Sequence, residues 1–428
     1  MKIGILGAGI SGLTSALKLQ EAGFNNITIF EKDSFLGGLA KSTVIDGFTF
    51  DLHGGHVFNS KYRGIKDWVF SILPRKYWKH QRRKAKILYK GRIIDYPFEF
   101  SLAEIDIDEA IDCLLDFVAP RKQTEPKNYY DWLRWRFGDA MAFKYMIPYN
   151  EKLWKFDLRK MGMDWVKSKM PLPSVEEVIT ATLKKNIKEK EMPHAFFYYP
   201  LKGGMQTLIE AMAKKFEGEI RRNYEVQSVE KTKRKFLING QEKFDIIIST
   251  ISVKKLLGCI ATTPSEVKRE TDSLRNVVLK TLFLKCRSND ISWLYLPESD
   301  IIAHRLVFQG NFSPYNCPAG NESSIILETS TKVGEEKILK NFNKRKPASQ
   351  FKTNDIIGTS VTEAYVLQGL QHEARMESIN SFLDNYGIFR VGRFAERKYY
   401  NMDICMKSAF EMVQWIIKKY KNRRFLNV

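Results

Sequence analysis

The first thirty-one residues constrain the fold more than any other part of the chain. "KIGIL" (2–6) reads as a short apolar strand, and Gly7-Ala8-Gly9-Ile10-Ser11-Gly12 follows it. A helical pattern then runs to about Leu19, and a second apolar strand, "NITIF", leads into Glu31. Strand, glycine turn, helix and strand, with an acid 19 positions after the third glycine, is the spacing of a dinucleotide-binding unit. Gly7 allows the tight turn, Gly9 lets the backbone approach a pyrophosphate, and Gly12 lets helix and strand pack closely. The pyrophosphate is expected at the helix start, against the backbone of Ile10 and Ser11, with a ribose hydroxyl on Glu31.

The continuation selects the dinucleotide. "KDSFLGGLAKS" (32–42) offers a second close backbone approach beyond the ribose, so Lys32, Gly38 and Leu39 join the expected cofactor contacts. "FDIIISTIS" (244–252) reads as another buried parallel strand ending in small hydroxyl residues, which adds Thr250. A sheet built from both ends of the sequence suits FAD, which is longer than NAD and is held along its length.

With 428 residues, 44% of them hydrophobic and 28% charged, the chain can bury a large core and divide into two or three domains. From about 101 to 190 the pattern is helical, and from about 262 to 370 it is strand-like, with runs such as "VVLKTLFLKC" and "SSIILETS". Helix resumes from about Asp403. The expected fold is α/β. A discontinuous Rossmann-like FAD domain (1–85, 196–260 and 385–428) carries a helical insert (101–192) and an antiparallel sheet domain for the substrate (86–100 and 261–384).

Five scattered cysteines without a C-x-x-C pair indicate neither a disulfide framework nor zinc, and six histidines argue against a multi-histidine metal centre. Lys plus Arg exceed Asp plus Glu by 20, concentrated in 74–92 and 418–424. No nucleic-acid motif accompanies these clusters, so both are read as solvated basic faces, and the terminal "FEMVQWIIKKYKNRR" as a helix packing on the FAD domain rather than resting on a membrane. No apolar run is long enough for a membrane span, and a cytoplasmic location is expected.

Several further stretches are distinctive: "DLHGGHVFNS" (51–60), "IIDYPFEF" (93–100), "PYNEKLW" (148–154), "YYPLKGGMQTLIEAM" (198–212), "HRLVFQGNFSP" (304–314) and "GRFAERKYYNMD" (392–403). In that order they resemble the UDP-galactopyranose mutase family, within the FAD proteins that also include amine oxidases and protoporphyrinogen oxidase. The resemblance runs nearly end to end. It implies His56, with Gly55 before it, beside the flavin ring, and Arg393, flanked by Gly392, close to the same ring. Asn401 and Met402 would touch the cofactor at the start of the last helix. Tyr149 would stack on the nucleobase, with Tyr145 a second candidate, and Trp154 would border the sugar. Arg305, Tyr365 and Tyr399 would grip the substrate's diphosphate. Lys169 in "KSKMP" stands where the family has an arginine, and Asn401 where it often has an aspartate. His56, Arg393 and Arg305 form the implied catalytic set.

The implied activity is interconversion of the pyranose and furanose forms of a nucleotide hexose, most simply a UDP-sugar, for cell-surface glycan precursors. It would proceed through a covalent sugar adduct on N5 of reduced FAD, with an external reductant such as NAD(P)H and a homodimer as the assembly. The alternative is an oxidoreductase resembling amine or protoporphyrinogen oxidase, which takes hydride from its substrate and needs no diphosphate clamp.

Overall fold

The strand Ile3–Leu6 is buried along its whole length and has a parallel partner on each side, so it can only be the middle of a sheet covered on both faces. The computed structural model describes residues 1–119, 125–166, 173–184, 195–344, 351 and 355–420. In it five strands lie in the order Ile388–Arg390, Ile246–Ser249, Ile3–Leu6, Ile27–Phe30, Glu219–Arg221, every neighbouring pair parallel. The outer two come from the far end of the chain and from its middle. Helix Ile10–Glu21 packs along the last helix, Met402–Tyr420, which buries Cys405, Met406, Ala409, Val413 and Ile416. Those apolar positions of the terminal segment are therefore used in packing; residues after Tyr420 lie outside the described part.

A second sheet of seven strands has the order Ile356–Leu367, Arg275–Arg287, Glu322–Thr329, Arg305–Val307, Trp293–Tyr295, Ala85–Tyr89, Arg92–Asp95. Its two faces are sorted by the period-two alternation of strand side chains. Leu88, Leu282, Leu284, Leu294, Leu306 and Leu327 point to one side, where Ile338 and Phe342 of helix Glu335–Asn343 cover them. Trp293, Tyr295, Val307, Ile326 and Tyr365 belong to the main core on the other side. Register does the rest. Tyr295 pairs with Arg305, and Arg305 with Glu328, so these three side chains stand in one row on the inner face.

This sheet departs from the expected antiparallel one at a single joint, where Trp293–Tyr295 and Ala85–Tyr89 run parallel. The two strands are not sequence neighbours, so no hairpin dictates their direction. The strand-like stretch 262–370 also contains two helices, Ser265–Ser273 and Glu335–Asn343. The first buries only Val267 and Thr271, too few apolar residues to leave a helical pattern in the sequence.

The helical insert includes Ile107–Val118, capped by the Asp106 carboxylate accepting from the Asp108 and Glu109 N–H groups, and Tyr129–Met141, capped by Asn128. A π-helical turn, Ala142–Met146, then feeds helix Ile147–Trp154. Pro148 in the first turn supplies no amide hydrogen to the preceding turn, a reason for the ladder to widen there. The wide turn places the Tyr145 and Tyr149 rings nearly parallel, 5.8 Å apart between centres.

Arg397, in the segment that leads back to the nucleotide sheet, is completely buried in a left-handed backbone conformation (φ 56°). Its guanidinium donates to the Asn276 side chain and to the carbonyls of Arg275 and Leu367, and its own carbonyl accepts from Gln368. It ties this segment to the edge of the seven-stranded sheet. Arg397→Met should therefore lower stability by about 2–4 kcal/mol, measured by urea unfolding of the flavin-loaded protein, because it orphans buried acceptors.

Candidate active site

The glycine turn is built as tightly as its spacing suggests. Gly7 has φ +100°, and a Cβ on Gly12 would lie 1.9 Å from the Gly7 carbonyl oxygen, so only glycine lets the helix start against the strand end. Gly9 bridges to Gly37, and Gly38 with φ +57° closes over it, so this glycine pair folds back onto the turn. Glu31 is buried and accepts from the Ala8 and Asp33 amides, which aims its carboxylate across the turn. Ile10 and Ser11 begin the helix, Lys32 is exposed beside Glu31, and Leu39 lines the adjoining cavity. Thr250 follows the strand beside this turn. Its hydroxyl donates to the Leu6 carbonyl, so it props the turn from behind, because the strand ending at Ser249 lies directly beside Ile3–Leu6.

The terminal segment comes back to this turn. A Cβ on Gly392, at φ +97°, would lie 2.2 Å from the Ser11 hydroxyl oxygen, and the Gly392 amide donates to Glu396. That contact delivers Arg393, whose Nε and Nη1 donate to the carbonyls of Tyr400 and Ala364, each at 2.8 Å. Its guanidinium lies 5.3 Å from the Tyr399 ring centre and 5.9 Å from that of Tyr365. Asn401, Met402 and Asp403 reach the same space from the start of the last helix.

Between the 53–59 loop, the insert and the seven-stranded sheet lies a cavity of about 390 Å³. It gathers His56, Tyr145, Tyr149, Trp154, Arg305, Tyr365, Arg393 and Tyr399 from distant parts of the chain. Lys169 lies outside the described residues. Tyr145 stands between Phe98 and Tyr149 in a run of nearly parallel rings. Trp154 donates to the Asn150 side-chain oxygen Oδ1, which also accepts from the Tyr129 hydroxyl, and its ring meets those of Tyr365 and Tyr399 edge-on at 6.1 and 6.0 Å.

His56 is oriented by its backbone amide, which donates to the buried Asp51 at 3.0 Å. Its Nε2 is enclosed without a hydrogen-bond partner, and burial together with Arg393 pushes its pKa down to about 3, so the ring is neutral. Gly54 and Gly55, just before His56, lie against the seven-stranded sheet. Added Cβ atoms there would meet Glu328 and Val307 at 2.6 and 2.5 Å, so these glycines let the loop seat on the sheet.

Glu328 is absent from the sequence-derived site. It is fully buried, and it takes Arg305 Nε at 2.6 Å and Nη2 at 2.5 Å, while Arg305 also donates to Tyr365 at 3.3 Å. Burial favours the neutral acid, but Arg305 beside it prevails and holds the Glu328 carboxyl below the usual range. Arg305 is thus an arginine whose charge is already answered. Arg83, Tyr96, Trp165, Trp293 and Tyr295 also line the cavity. The available signal was strand alternation: Trp293, Tyr295, Arg305 and Glu328 occupy inward positions of strands whose register a sequence does not disclose.

Two outcomes are expected. Gly12→Ala should yield protein without flavin absorbance after purification, since the turn cannot close around a pyrophosphate. Glu328→Ala should cost about 3–5 kcal/mol in denaturant unfolding, because the Arg305 guanidinium stays buried without its counter-charge.

The residues present fit a flavin dinucleotide: a glycine turn with no room for Cβ atoms, and a buried acid, Glu31, held across that turn at the end of the neighbouring strand. A solved UDP-galactopyranose mutase in its reduced form superimposes with a TM-score of 0.87 at 22% identity, over 97% of this chain and 95% of that one. A provisionally named protoporphyrinogen oxidase from Exiguobacterium sp. gives 0.75 at 16% identity, over 98% and 99%. In sequence, a 4,4'-diapolycopene oxygenase of Methylomonas sp. is 24% identical over 311 residues, 64% of this chain and 61% of that protein. The chain thus spans under two thirds of this relative's length. The family model described as flavin containing amine oxidoreductase matches residues 10–325. The chain belongs to that family, and FAD is its cofactor.

Proposed function

We propose that the protein is a nucleotide-sugar mutase that interconverts the pyranose and furanose forms of a nucleoside diphosphate hexose. The observation that carries this reading is the polar chemistry of the cavity: three arginines, Arg83, Arg305 and Arg393, and the phenols of Tyr149, Tyr295, Tyr365 and Tyr399 line one space. A polyene offers no acceptor to these donors, and a protonated amine would meet cations. A diphosphate answers them.

Reduced FAD, when bound, supplies the nucleophile at the anomeric carbon. The chain's own residues do the rest. Tyr149, already stacked on one neighbour, offers aromatic surface to a nucleobase, and Trp154, held by Asn150, walls the sugar. Tyr365 and Tyr399, whose pKa values burial raises, remain protonated and donate to phosphate oxygens without adding charge. Arg305 is held rigid by Glu328 and orients Tyr365. Arg393 and neutral His56 sit where negative charge on the reduced ring is stabilised.

A hydride-removing oxidoreductase is the second reading, favoured by the family and by the carotenoid-modifying relative. The two part on redox stoichiometry. Protein reduced with dithionite and incubated anaerobically with UDP-galactopyranose and other nucleotide hexoses should form the furanose isomer with no net flavin oxidation, and oxidised protein should form none. Turnover of an amine or polyene with flavin reduction, and no furanose, would reverse the assignment. In the reduced enzyme, Tyr365→Phe should lower kcat/KM about tenfold, the worth of one hydrogen bond to a charged oxygen.

A further inference from the structure

Arg83 is the member of the basic run 74–92 that turns into the cavity. Its guanidinium lies 4.6 Å from the Trp293 ring centre and 5.7 Å from that of Tyr96, and Nη2 donates to the Tyr295 hydroxyl. Its Nε is enclosed and has no hydrogen-bond partner. The pairing of the other two cavity arginines differs. Arg305 is neutralised by Glu328, and Arg393 spends two donors on the Tyr400 and Ala364 carbonyls beside His56. Glu99 lines the same cavity, and burial pushes its pKa up to about 7, which weakens it as a counter-ion.

We infer that Arg83 is the oxyanion-binding residue of this cavity, its guanidinium edge taking a phosphate oxygen of the substrate's diphosphate or a carboxylate oxygen on its sugar. The inference rests on the nucleotide-sugar reading and deepens it. A diphosphate brings more negative charge than the cancelled Arg305/Glu328 pair can answer, and a planar guanidinium fork held between aromatic faces matches an oxyanion in both geometry and charge. Flanking by Trp293 and Tyr96 also keeps the guanidinium partly dehydrated, which strengthens its pairing with an anion.

The test is calorimetric titration of FAD-loaded wild type, Arg83→Gln and Arg83→Lys with uridine, UDP, inorganic pyrophosphate, UDP-galactose and UDP-galacturonate. Arg83→Gln should bind UDP and pyrophosphate about tenfold more weakly and lose most of the salt dependence, leave uridine unchanged, and be partly rescued in Arg83→Lys. If only the UDP-galacturonate affinity falls, the oxyanion is the sugar carboxylate, and the assignment of Arg83 stands. Equal affinities of wild type and Arg83→Gln for every anionic probe overturn it. Wild type that ignores uridine and UDP, yet binds pyrophosphate in an Arg83-dependent way, removes the nucleotide-sugar reading and keeps the oxyanion site; no anion binding at all removes both. An unchanged flavin spectrum and thermal midpoint establish that the variants are folded.

Discussion

The approach of Gly392 to Ser11 is the constraint on which the rest of the structure depends. A side chain at Gly392 would sit 2.2 Å from the Ser11 hydroxyl, so the last part of the chain can return to the first only because that position is glycine. Once it returns, Ile388–Arg390 adds to the parallel sheet beside Ile246–Ser249, and helix Met402–Tyr420 lies along helix Ile10–Glu21. The segments between these ends must then loop out and fold back. The cavity is the space they leave, walled by the insert and by the inner face of the second sheet.

Within that space charge is distributed unevenly, and burial sets the distribution. Glu328 and Arg305 share a face because their strands are in register, and the low polarity around them makes each the other's necessary partner. Arg393 is held by carbonyl oxygens, which fix its position and leave its charge uncancelled. His56 stays neutral between Arg393 and the sheet. The phenols Tyr365 and Tyr399 stay protonated because their anions would be desolvated. The result is a cavity rich in hydrogen-bond donors, with one of its arginines neutralised by Glu328.

Much of this was legible in the primary structure, for local reasons. The glycine turn, the helix after it and Glu31 follow from spacing alone, because each depends on contacts within one supersecondary unit. Trp154 and Tyr149 came from the family resemblance of the stretch 148–154, and both line the cavity. Glu328 and Arg83 escaped notice. One reads as part of an apolar strand with a charged end, the other as one cation in a run of many, and nothing in either stretch tells which side chain turns inward. The terminal stretch that crowds Arg393, Arg397 and Tyr399 together likewise conceals a division of labour. Arg393 and Tyr399 face the cavity, and Arg397 is consumed in holding the segment to the sheet edge.

The amino-acid sequence by itself determined the nucleotide-binding unit, the α/β class and the set of aromatic and cationic residues available to a site. The first two are properties of periodicity and of glycine stereochemistry, which act over a few residues, and the residue set came from the resemblance to a known family. Tertiary structure alone decided which arginine is neutralised, which remains unpaired by an acid and which is structural. The physical reason is that a charge's role depends on its neighbours within a few ångströms, and here those neighbours, Glu328 for Arg305, Trp293 for Arg83 and Asn276 for Arg397, arrive from strands distant in the chain or joined in a register that no local pattern specifies.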